Sequence, residues 1–283
     1  MRFREAEKMK VYISVDMEGI ACATHSDHVK MEGPAYEAAR KWMTAEVNAA
    51  IEGAIEAGAD EFVIADGHGL MRNLLPDELH EDALLVLGTP RPLLQMEGID
   101  ESADIAFFIG YHARAGNATG VMAHTHVGKI VYELYLNDEP ITEAAFNAAV
   151  AGHFGVPVGL VAGDDALIDD VAVTHPWTER VITKWAIGPL AARNLTPKAA
   201  QKKIRIAAKR AIERAGEMKV FKLDAPIEFR AHFLKALQAQ LVSDIPGVER
   251  FDSRSVRYVG ADMVEISKIW RLMINASLSS FAV

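Results

Sequence analysis

The chain has 283 residues, of which 50% are hydrophobic and 24% charged, a composition typical of a globular protein with a substantial core. Its 39 acidic and 30 basic residues give a formal net charge of -9, which argues against general binding to nucleic acid or to a membrane surface. Cys22 is the single cysteine, and the charged start of the chain lacks the apolar core of a signal peptide. We therefore expect a soluble, cytoplasmic protein.

Strands and helices alternate along the first 195 residues. Residues 10–15 are rich in β-branched side chains and predict a buried strand, and residues 34–57 have apolar side chains at helical spacing. The next predicted elements are strands at 61–66, 84–89, 103–110 and 129–136, a small-residue helix at 143–152 and a strand at 158–163. This alternation predicts an α/β fold whose mainly parallel sheet is covered by helices on both faces.

The last part of the chain, residues 196–283, has a different pattern. Its predicted elements are, in order, a basic helix (196–216), two short strands (220–223 and 227–229), an amphipathic helix carrying Phe233, Leu237 and Leu241, a strand (255–259) and a final helix. They predict a smaller α+β domain. No linker marks its boundary with residues 9–195, so the two domains could be interleaved.

Carboxylates and histidines lie at the ends of several predicted strands. Asp16 and Glu18 follow the first strand, and His68, His112 and Glu143 follow later strands or their turns. In open α/β sheets the carboxyl ends of the strands line the ligand crevice, and this nitrogen–oxygen set suits zinc, manganese or cobalt. Asp16 and Glu18 point to the same side of an extended segment, so one could bridge two ions while the other holds one of them.

Each candidate of this kind has a structural alternative. A carboxylate after a strand commonly caps a helix or shapes a turn, and Asp66 could do this or orient the histidine that follows it. Asp164 and Asp165 form a competing pair that could cap a helix, support the ligands or belong to another metal site. His124 and His126 could move protons or serve only as loop residues. The coincidence at four strand ends favours a metal centre.

The ordered series of motifs resembles that of the zinc-dependent D-aminopeptidases, first named dipeptide-transport proteins. SVDMEG at 14–19 matches the SxDxEG signature of that family. Further matching segments are MTAEVNAA (43–50), DGHG (66–69), GYHA (110–113), AHT (123–125), 143–147, GVPVGLVAGDD (155–165), KWAIG (184–188) and PGVERFDSRSVRYVG (246–260). The resemblance covers nearly the whole chain from Met9, and residues 1–8 lie outside it.

The resemblance implies a particular site and assembly. It implies two zinc ions per subunit, held by Asp16, Glu18, His68, His112 and Glu143. Asp16 would bridge the ions, and His124 would be the catalytic histidine, with His126 as the alternative in the same loop. The family fold is a three-layer α/β/α main domain with a smaller α+β domain. Its members form large ring-like homo-oligomers, so we expect a pentamer or decamer that encloses its active sites.

The implied function is hydrolysis of short peptides from the amino terminus, with a preference for D-amino acids such as D-Ala. Manganese or cobalt could substitute for zinc. Two other classes stay open: a dinuclear metal hydrolase of another amide or ester bond, and a non-catalytic oligomer that binds peptides. Phosphoester sites usually add Arg, Lys or a glycine-rich loop, and only Arg114 lies near the proposed ligands in sequence. A purely binding role would bury several carboxylates without ions, which is costly.

Overall fold

The computed structural model describes residues 8–282. Residues 1–7, which hold most of the charged start of the chain, and Val283 lie outside the described part. The strands are β1 (Lys10–Val15), β2 (Glu61–Asp66), β3 (Ala83–Val86), β4 (Ile105–Tyr111), β5 (Val131–Leu136), β6 (Glu139–Pro140), β7 (Val158–Asp164), β8 (Glu179–Gly188), β9 (Ala191–Asn194), β10 (Ile227–Phe233), β11 (Glu249–Arg250) and β12 (Ser255–Gly260). The α-helices are α1 (Ser26–Val29), α2 (Tyr36–Ile55), α3 (Glu143–His153), α4 (Asp165–Thr174), α5 (Pro197–Glu213), α6 (Ala236–Val242) and α7 (Met263–Leu278).

The larger sheet has, within residues 8–282, seven strands in the order β3-β2-β1-β4-β7-β8-β9. Neighbouring strands from β3 to β8 are parallel, and β9 pairs antiparallel with β8. The predicted mainly parallel α/β fold is therefore confirmed. Because β1 pairs with β2 on one side and β4 on the other, the carboxyl ends of these three strands lie side by side.

Side chains of β1 alternate between two hydrophobic cores, one on each face of the larger sheet. Ile13 packs in a core shared with Val47 of α2 and Ile204 of α5, so these two helices cover one face. Tyr12 enters the opposite core, which contains Phe146 of α3 and side chains of α4. Burial on both faces explains why the parallel strands read as nearly continuous apolar runs in the sequence.

A second sheet has the order β11-β12-β10-β5-β6 and is antiparallel throughout. Helices α6 and α7 pack on it, and Trp270 of α7 is buried beside Phe229 and Phe233. This sheet takes β5 and β6 from the first half of the chain, while α5 packs on α2 against the larger sheet. The elements are interleaved along the chain, and the division at residues 195 and 196 stays a prediction.

Several predicted elements differ from the structure. Residues 220–223 form no regular element, and Phe233 ends β10 whereas the prediction placed it in a helix. The alternate residues Ile227 to Phe233 are buried with period two, which the short predicted strand did not capture. The segment predicted at 129–136 forms β5, but in the antiparallel sheet. Among the described residues, no helix has the length and apolar character needed to span a membrane.

Candidate metal centre

The carboxyl ends of three neighbouring strands carry three of the predicted ligands. Asp16 directly follows β1, His112 directly follows β4, and His68 lies two residues beyond β2. Glu18 is on the same loop as Asp16, and Glu143 reaches the site as the first residue of α3. The structure brings all five residues together, and four of them are at most 5% exposed, with His68 half-buried.

The loop after β1 lies in main-chain contact with the end of β4. The Asp16 N–H donates to the Ile109 carbonyl oxygen over 2.8 Å, and the Gly19 N–H donates to the Gly110 carbonyl oxygen over 2.7 Å. A Cβ atom on Gly19 would lie 1.7 Å from the Tyr111 carbonyl oxygen. Glycine is therefore required at position 19 by this close approach of two backbones.

Two side chains of β8 also bind this loop. Lys184 is fully buried, and its ammonium donates to the main-chain oxygens of Glu18 and Ala23. The Thr183 hydroxyl lies 2.5 Å from the Gly19 carbonyl oxygen. Burial lowers the pKa of Lys184 to about 8, against the pull of nearby carboxylates. These contacts fix the backbone that carries Glu18.

The two histidines predicted as ligands are each oriented by a main-chain oxygen. His68 Nε2 lies 2.7 Å from the Val29 carbonyl oxygen, and His112 Nδ1 lies 2.9 Å from the Ala113 carbonyl oxygen. A carbonyl oxygen only accepts, so these two nitrogens carry the protons. In the neutral imidazole the opposite nitrogen, Nδ1 of His68 and Nε2 of His112, has a free lone pair and can bind a metal ion.

These lone-pair nitrogens face carboxylate oxygens. His68 Nδ1 lies 3.2 Å from Asp16 Oδ1 and 2.9 Å from Glu18 Oε2. His112 Nε2 lies 3.4 Å from Asp16 Oδ2 and 3.3 Å from Glu143 Oε1. Acceptor atoms at these distances repel one another unless a proton or a metal cation lies between them. The cluster therefore requires added positive charge.

Two observations show whether a metal ion fits this cluster: buried atoms without a hydrogen-bond partner, and the directions in which the pKa values are shifted. Among residues 8–282, the buried Glu18 Oε2 and His112 Nε2 have no hydrogen-bond partner. Burial would raise the pKa of Asp16, but the imidazoles of His112 and His68 beside it outweigh burial and hold this pKa well below its usual range. Burial opposes charge on His112, yet Asp16 and Glu143 raise its pKa well above the ordinary value. Because metals bind such ligands in deprotonated form, a metal ion can replace these protons, and the donor set fits zinc.

His124 lies at the open side of the same cluster. Its side chain is 25% exposed, and its ring stacks on His112 with centroids 4.3 Å apart. Its Nδ1 lies 2.9 Å from the Met122 carbonyl oxygen, and its Nε2 lies 3.9 Å from Glu143 Oε1. Ligand atoms of His112, His124 and Glu143 lie within 4.8 Å of one another, so the geometry permits His124 to bind metal as well as to transfer a proton.

The His126 side chain contacts Trp270 and Phe146. Its Nδ1 accepts a hydrogen bond from Trp270 Nε1 over 3.2 Å, and its ring packs edge-on against Phe146. Its main-chain N–H donates to Glu143 Oε1 over 2.7 Å. The His126 side chain thus packs in the core, and its backbone supports a predicted ligand.

The other carboxylates considered from the sequence have structural partners. Asp66 Oδ2 accepts from the Leu74 main-chain N–H over 2.7 Å and so shapes the loop after β2. Asp164 is the N-cap of α4 and accepts from the Leu167 N–H over 3.1 Å. Asp165 accepts two main-chain N–H groups. Main-chain N–H groups therefore hold all three side chains.

A pocket of about 360 Å³ opens beside Glu18 and His124. Its walls are mainly apolar and include Val29, Met122, Ala123, Pro189 and Leu190. The turn between β8 and β9 supplies the last two of these residues. Its position is fixed to the loop that carries His124, because the Met122 N–H donates to the Pro189 carbonyl oxygen over 2.8 Å.

Two residues that contact the proposed ligands were not predicted from the sequence. Gln95 Nε2 donates to Glu143 Oε2 over 2.5 Å across 48 positions of sequence, and the surrounding apolar segment gives no signal of this contact. Lys184 gave a weak signal, since a lysine in the middle of an apolar strand segment requires a partner when it is buried.

The fold and the site define a metal-binding α/β protein whose centre lies at the carboxyl ends of a parallel sheet. A profile of the D-aminopeptidase family matches residues 9–272. The chain belongs to the D-aminopeptidase family, which confirms the predicted aminopeptidase function. D-aminopeptidase of Bacillus subtilis (strain 168) is 32% identical over 272 residues, which cover 95% of this chain and 98% of that protein.

The same relationship appears in a solved structure. The Zn-dependent D-aminopeptidase DppA from Bacillus subtilis, described as a self-compartmentalizing protease, superposes with a TM-score of 0.92 at 32% identity. The match covers 95% of this chain and 98% of that chain.

Proposed function

We propose that this protein is a dinuclear zinc aminopeptidase that removes residues from the amino terminus of short peptides containing D-amino acids. The observation that carries the proposal is that the lone-pair nitrogens of His68 and His112 face the two different oxygens of Asp16. That arrangement calls for one cation on each side of the carboxylate. The zinc dependence of the solved relative supports the choice of metal, and manganese or cobalt could substitute.

Five residues would hold the two ions. Asp16 would bridge them, with Glu18 and His68 completing the set on its Oδ1 side and His112 and Glu143 on its Oδ2 side. Each set combines imidazole nitrogen with carboxylate oxygen and leaves a position for water or substrate, as expected of a catalytic zinc site. When bound, a zinc pair polarises the scissile carbonyl and promotes ionisation of the attacking water.

His124 would handle the proton at the leaving amine. Its hydrogen bond to Met122 points Nε2 towards the ligands, and its partial exposure places it on the pocket wall. A protonated Nε2 can stabilise the developing oxyanion or donate to the leaving nitrogen. His124 suits this role better than His126, whose Nδ1 accepts from Trp270 and whose ring packs against Phe146.

The pocket supports an uncharged first residue of the substrate. Besides Glu18 and His124, its lining has no charged or titratable side chain among the residues that the structure describes, and its walls are formed largely by apolar groups. A methyl or other short aliphatic side chain would fit such walls, whereas a charged side chain would lose its hydration without a partner.

The proposed assembly is a ring-like homo-oligomer, a pentamer or decamer, in a cytoplasmic setting. The self-compartmentalizing relative supports it. Apolar side chains near the pocket also support it, since Ile187 and Leu190 are 76% and 55% exposed. Light scattering should give a mass several times the 30.9 kDa of one chain. If the protein is a monomer at working concentration, the proposed oligomer is wrong, but the proposed catalytic activity is not affected by that result.

The function is tested by release of alanine from D-Ala-D-Ala, with L-Ala-L-Ala and a phosphoester as comparison substrates. We expect zinc-dependent release from the D-dipeptide, loss of activity after chelation, and recovery when zinc is restored. Cleavage of the phosphoester but not the peptides would point to the alternative metal hydrolase. Tight binding of D-Ala-D-Ala without release by the zinc-loaded protein would point to a binding oligomer.

A further inference from the structure

Glu143 presents its two carboxylate oxygens to different neighbours. Oε1 lies 3.3 Å from His112 Nε2 and accepts the main-chain N–H of His126 over 2.7 Å. Oε2 accepts a hydrogen bond from Gln95 Nε2 over 2.5 Å. Gln95 is 4% exposed and lies in a 3₁₀ helix, Leu94–Met96, outside the strands that carry the ligands. The two oxygens are therefore not equivalent.

The orientation of the Gln95 amide follows from the atoms around it. A carboxylate that binds metal can only accept, so Gln95 donates to it with Nε2 and keeps Oε1 as an acceptor. Asn147 Nδ2 fills that acceptor over 2.7 Å and also lies 2.8 Å from Tyr111 Oη. The Tyr111 hydroxyl lies 2.6 Å from Ser14 Oγ, which donates to the Gln95 main-chain oxygen over 3.0 Å. The hydrogen-bond network thus begins and ends on Gln95.

The backbone around Gln95 is also held in an unusual conformation. Leu94 is 8% exposed and has a φ of 54°, in the left-handed region that bulky L-residues rarely adopt. A Cβ atom on Gly67 would lie 3.1 Å from Gln95 Cγ, so the loop after β2 packs directly on the Gln95 side chain. The surroundings therefore fix both the main chain and the side chain of Gln95.

We propose that Gln95 is a positioning residue for metal binding. By holding Oε2 of Glu143, it leaves Oε1 as the single oxygen offered to the ion beside His112. Without this donor the carboxylate is free to rotate or to bind the ion with both oxygens. Asn147 binds no proposed ligand atom itself and acts through the Gln95 amide, whose Oε1 it holds. This inference rests on the proposed metal site.

The test compares Gln95→Met with wild type and with a matched control, Tyr12→Phe. Methionine keeps an unbranched side chain and removes the donor. The control removes a buried hydroxyl that donates to the main-chain oxygens of Gln95 and Glu97 but leaves the contact to Glu143 intact. Zinc affinity of the full-length chain is measured by competition with a chelator, and the absorption spectrum of the cobalt-loaded protein reports the coordination of the ions.

We expect Gln95→Met to bind one of its two ions about 10–100-fold more weakly, the usual effect of removing a residue that orients a ligand. Its cobalt spectrum should also change, because Glu143 can then bind through both oxygens. Tyr12→Phe should keep the wild-type affinity and spectrum even if its stability falls. Equal affinity and spectrum in Gln95→Met and wild type would overturn the proposal.

Two further outcomes are distinguishable. If wild type itself binds no metal, the proposed function fails, and the role of Gln95 fails with it. If Gln95→Met does not fold, Asn147→Leu replaces it, because that variant keeps Gln95 and removes only the group that orients its amide. We expect about tenfold weaker binding of one ion in Asn147→Leu. Wild-type zinc affinity in Asn147→Leu would contradict the proposed role of this hydrogen-bond network.

Discussion

Gly19→Ala is the smallest substitution that should break the metal centre without touching a ligand. The added methyl carbon would lie 1.7 Å from the Tyr111 carbonyl oxygen and 2.5 Å from the Gly110 carbonyl carbon. An ordinary carbon–oxygen contact is about 3.5 Å, so the loop and the end of β4 must separate by more than about 1 Å. Both are main chain, so no side chain can rotate away to make room.

The expected cost follows from that displacement. Overpacking by one methyl group typically costs about 1–3 kcal/mol, and a clash between two backbones lies at the upper end of this range. The hydrogen bonds from Asp16 and Gly19 to β4 would also lengthen, each contributing about 1 kcal/mol. We therefore expect a loss of about 3–5 kcal/mol in the free energy of unfolding. Because the same loop carries Glu18, zinc content should fall as well.

Denaturant unfolding of the chelator-treated protein measures the first effect, and metal analysis of the purified protein measures the second. Gly216→Ala is the matched control, since a Cβ atom there meets nothing within 4 Å. It should be neutral or stabilise the protein by about 0.4–1 kcal/mol. If Gly19→Ala unfolds within about 0.5 kcal/mol of the control and keeps its zinc, the argument from close backbone approach is wrong.

Three other predictions concern the proposed ligands, the proposed catalytic histidine and the dependence of stability on pH. Asp16→Ala should lose more metal than any other single ligand variant, because its carboxylate serves both ions; equal metal content in Asp16→Ala and wild type would disprove bridging. At saturating zinc, His124→Ala should keep its metal while turnover falls about 10²–10⁴-fold, whereas His112→Ala should lose metal and His126→Ala should remain active. Should His126→Ala prove inactive with metal retained, the assignment of the two histidines must be exchanged. Burial lowers the pKa of His175 to about 4 in the folded protein. As the pH falls, the unfolded chain therefore takes up a proton at this residue before the folded protein does. The stability that comes from burying the neutral ring is present above about pH 6.5 and is lost as the pH falls towards 4. When the pH is lowered from about 7 to about 5, the free energy of unfolding of wild type should fall by about 2 kcal/mol more than that of His175→Leu. Equal losses in the two proteins, measured by denaturant unfolding at both pH values, would contradict the lowered pKa of His175.

The sequence predicted that the proposed ligands would lie together, because a general rule of parallel sheets places strand ends at one edge. Asp16, His68 and His112 lie beyond the ends of adjacent strands, and the order of those strands brings them together. Glu143 follows the predicted strand and its turn, but that strand, β5, belongs to the second, antiparallel sheet, and Glu143 reaches the site as the start of α3. A strand pattern alone does not reveal which sheet a strand joins.

The residues that support the ligands were beyond the reach of local sequence patterns. Gln95 contacts Glu143 across 48 positions, and Lys184 contacts the Glu18 main chain across 166 positions. Such contacts depend on the final packing of distant segments, so neither periodicity nor a short motif encodes them. The same reason explains Phe233: its place in β10 is set by pairing with β5 and contact with Trp270, which the local helical spacing cannot show.

The interleaving of the two sheets has a consequence for fragments of this chain. A piece beginning at residue 196 would contain β10 and β12 but not β5, and one whole edge of β10 would lose its partner. Exposed, unpaired strand edges of this kind promote aggregation. The complementary piece, residues 9–195, would keep β5 and β6 as a lone hairpin and would lose α5 from the surface of α2. Truncation or exchange of segments with a relative should therefore keep both sheets complete, because neither half of the chain contains all the strands of the second sheet.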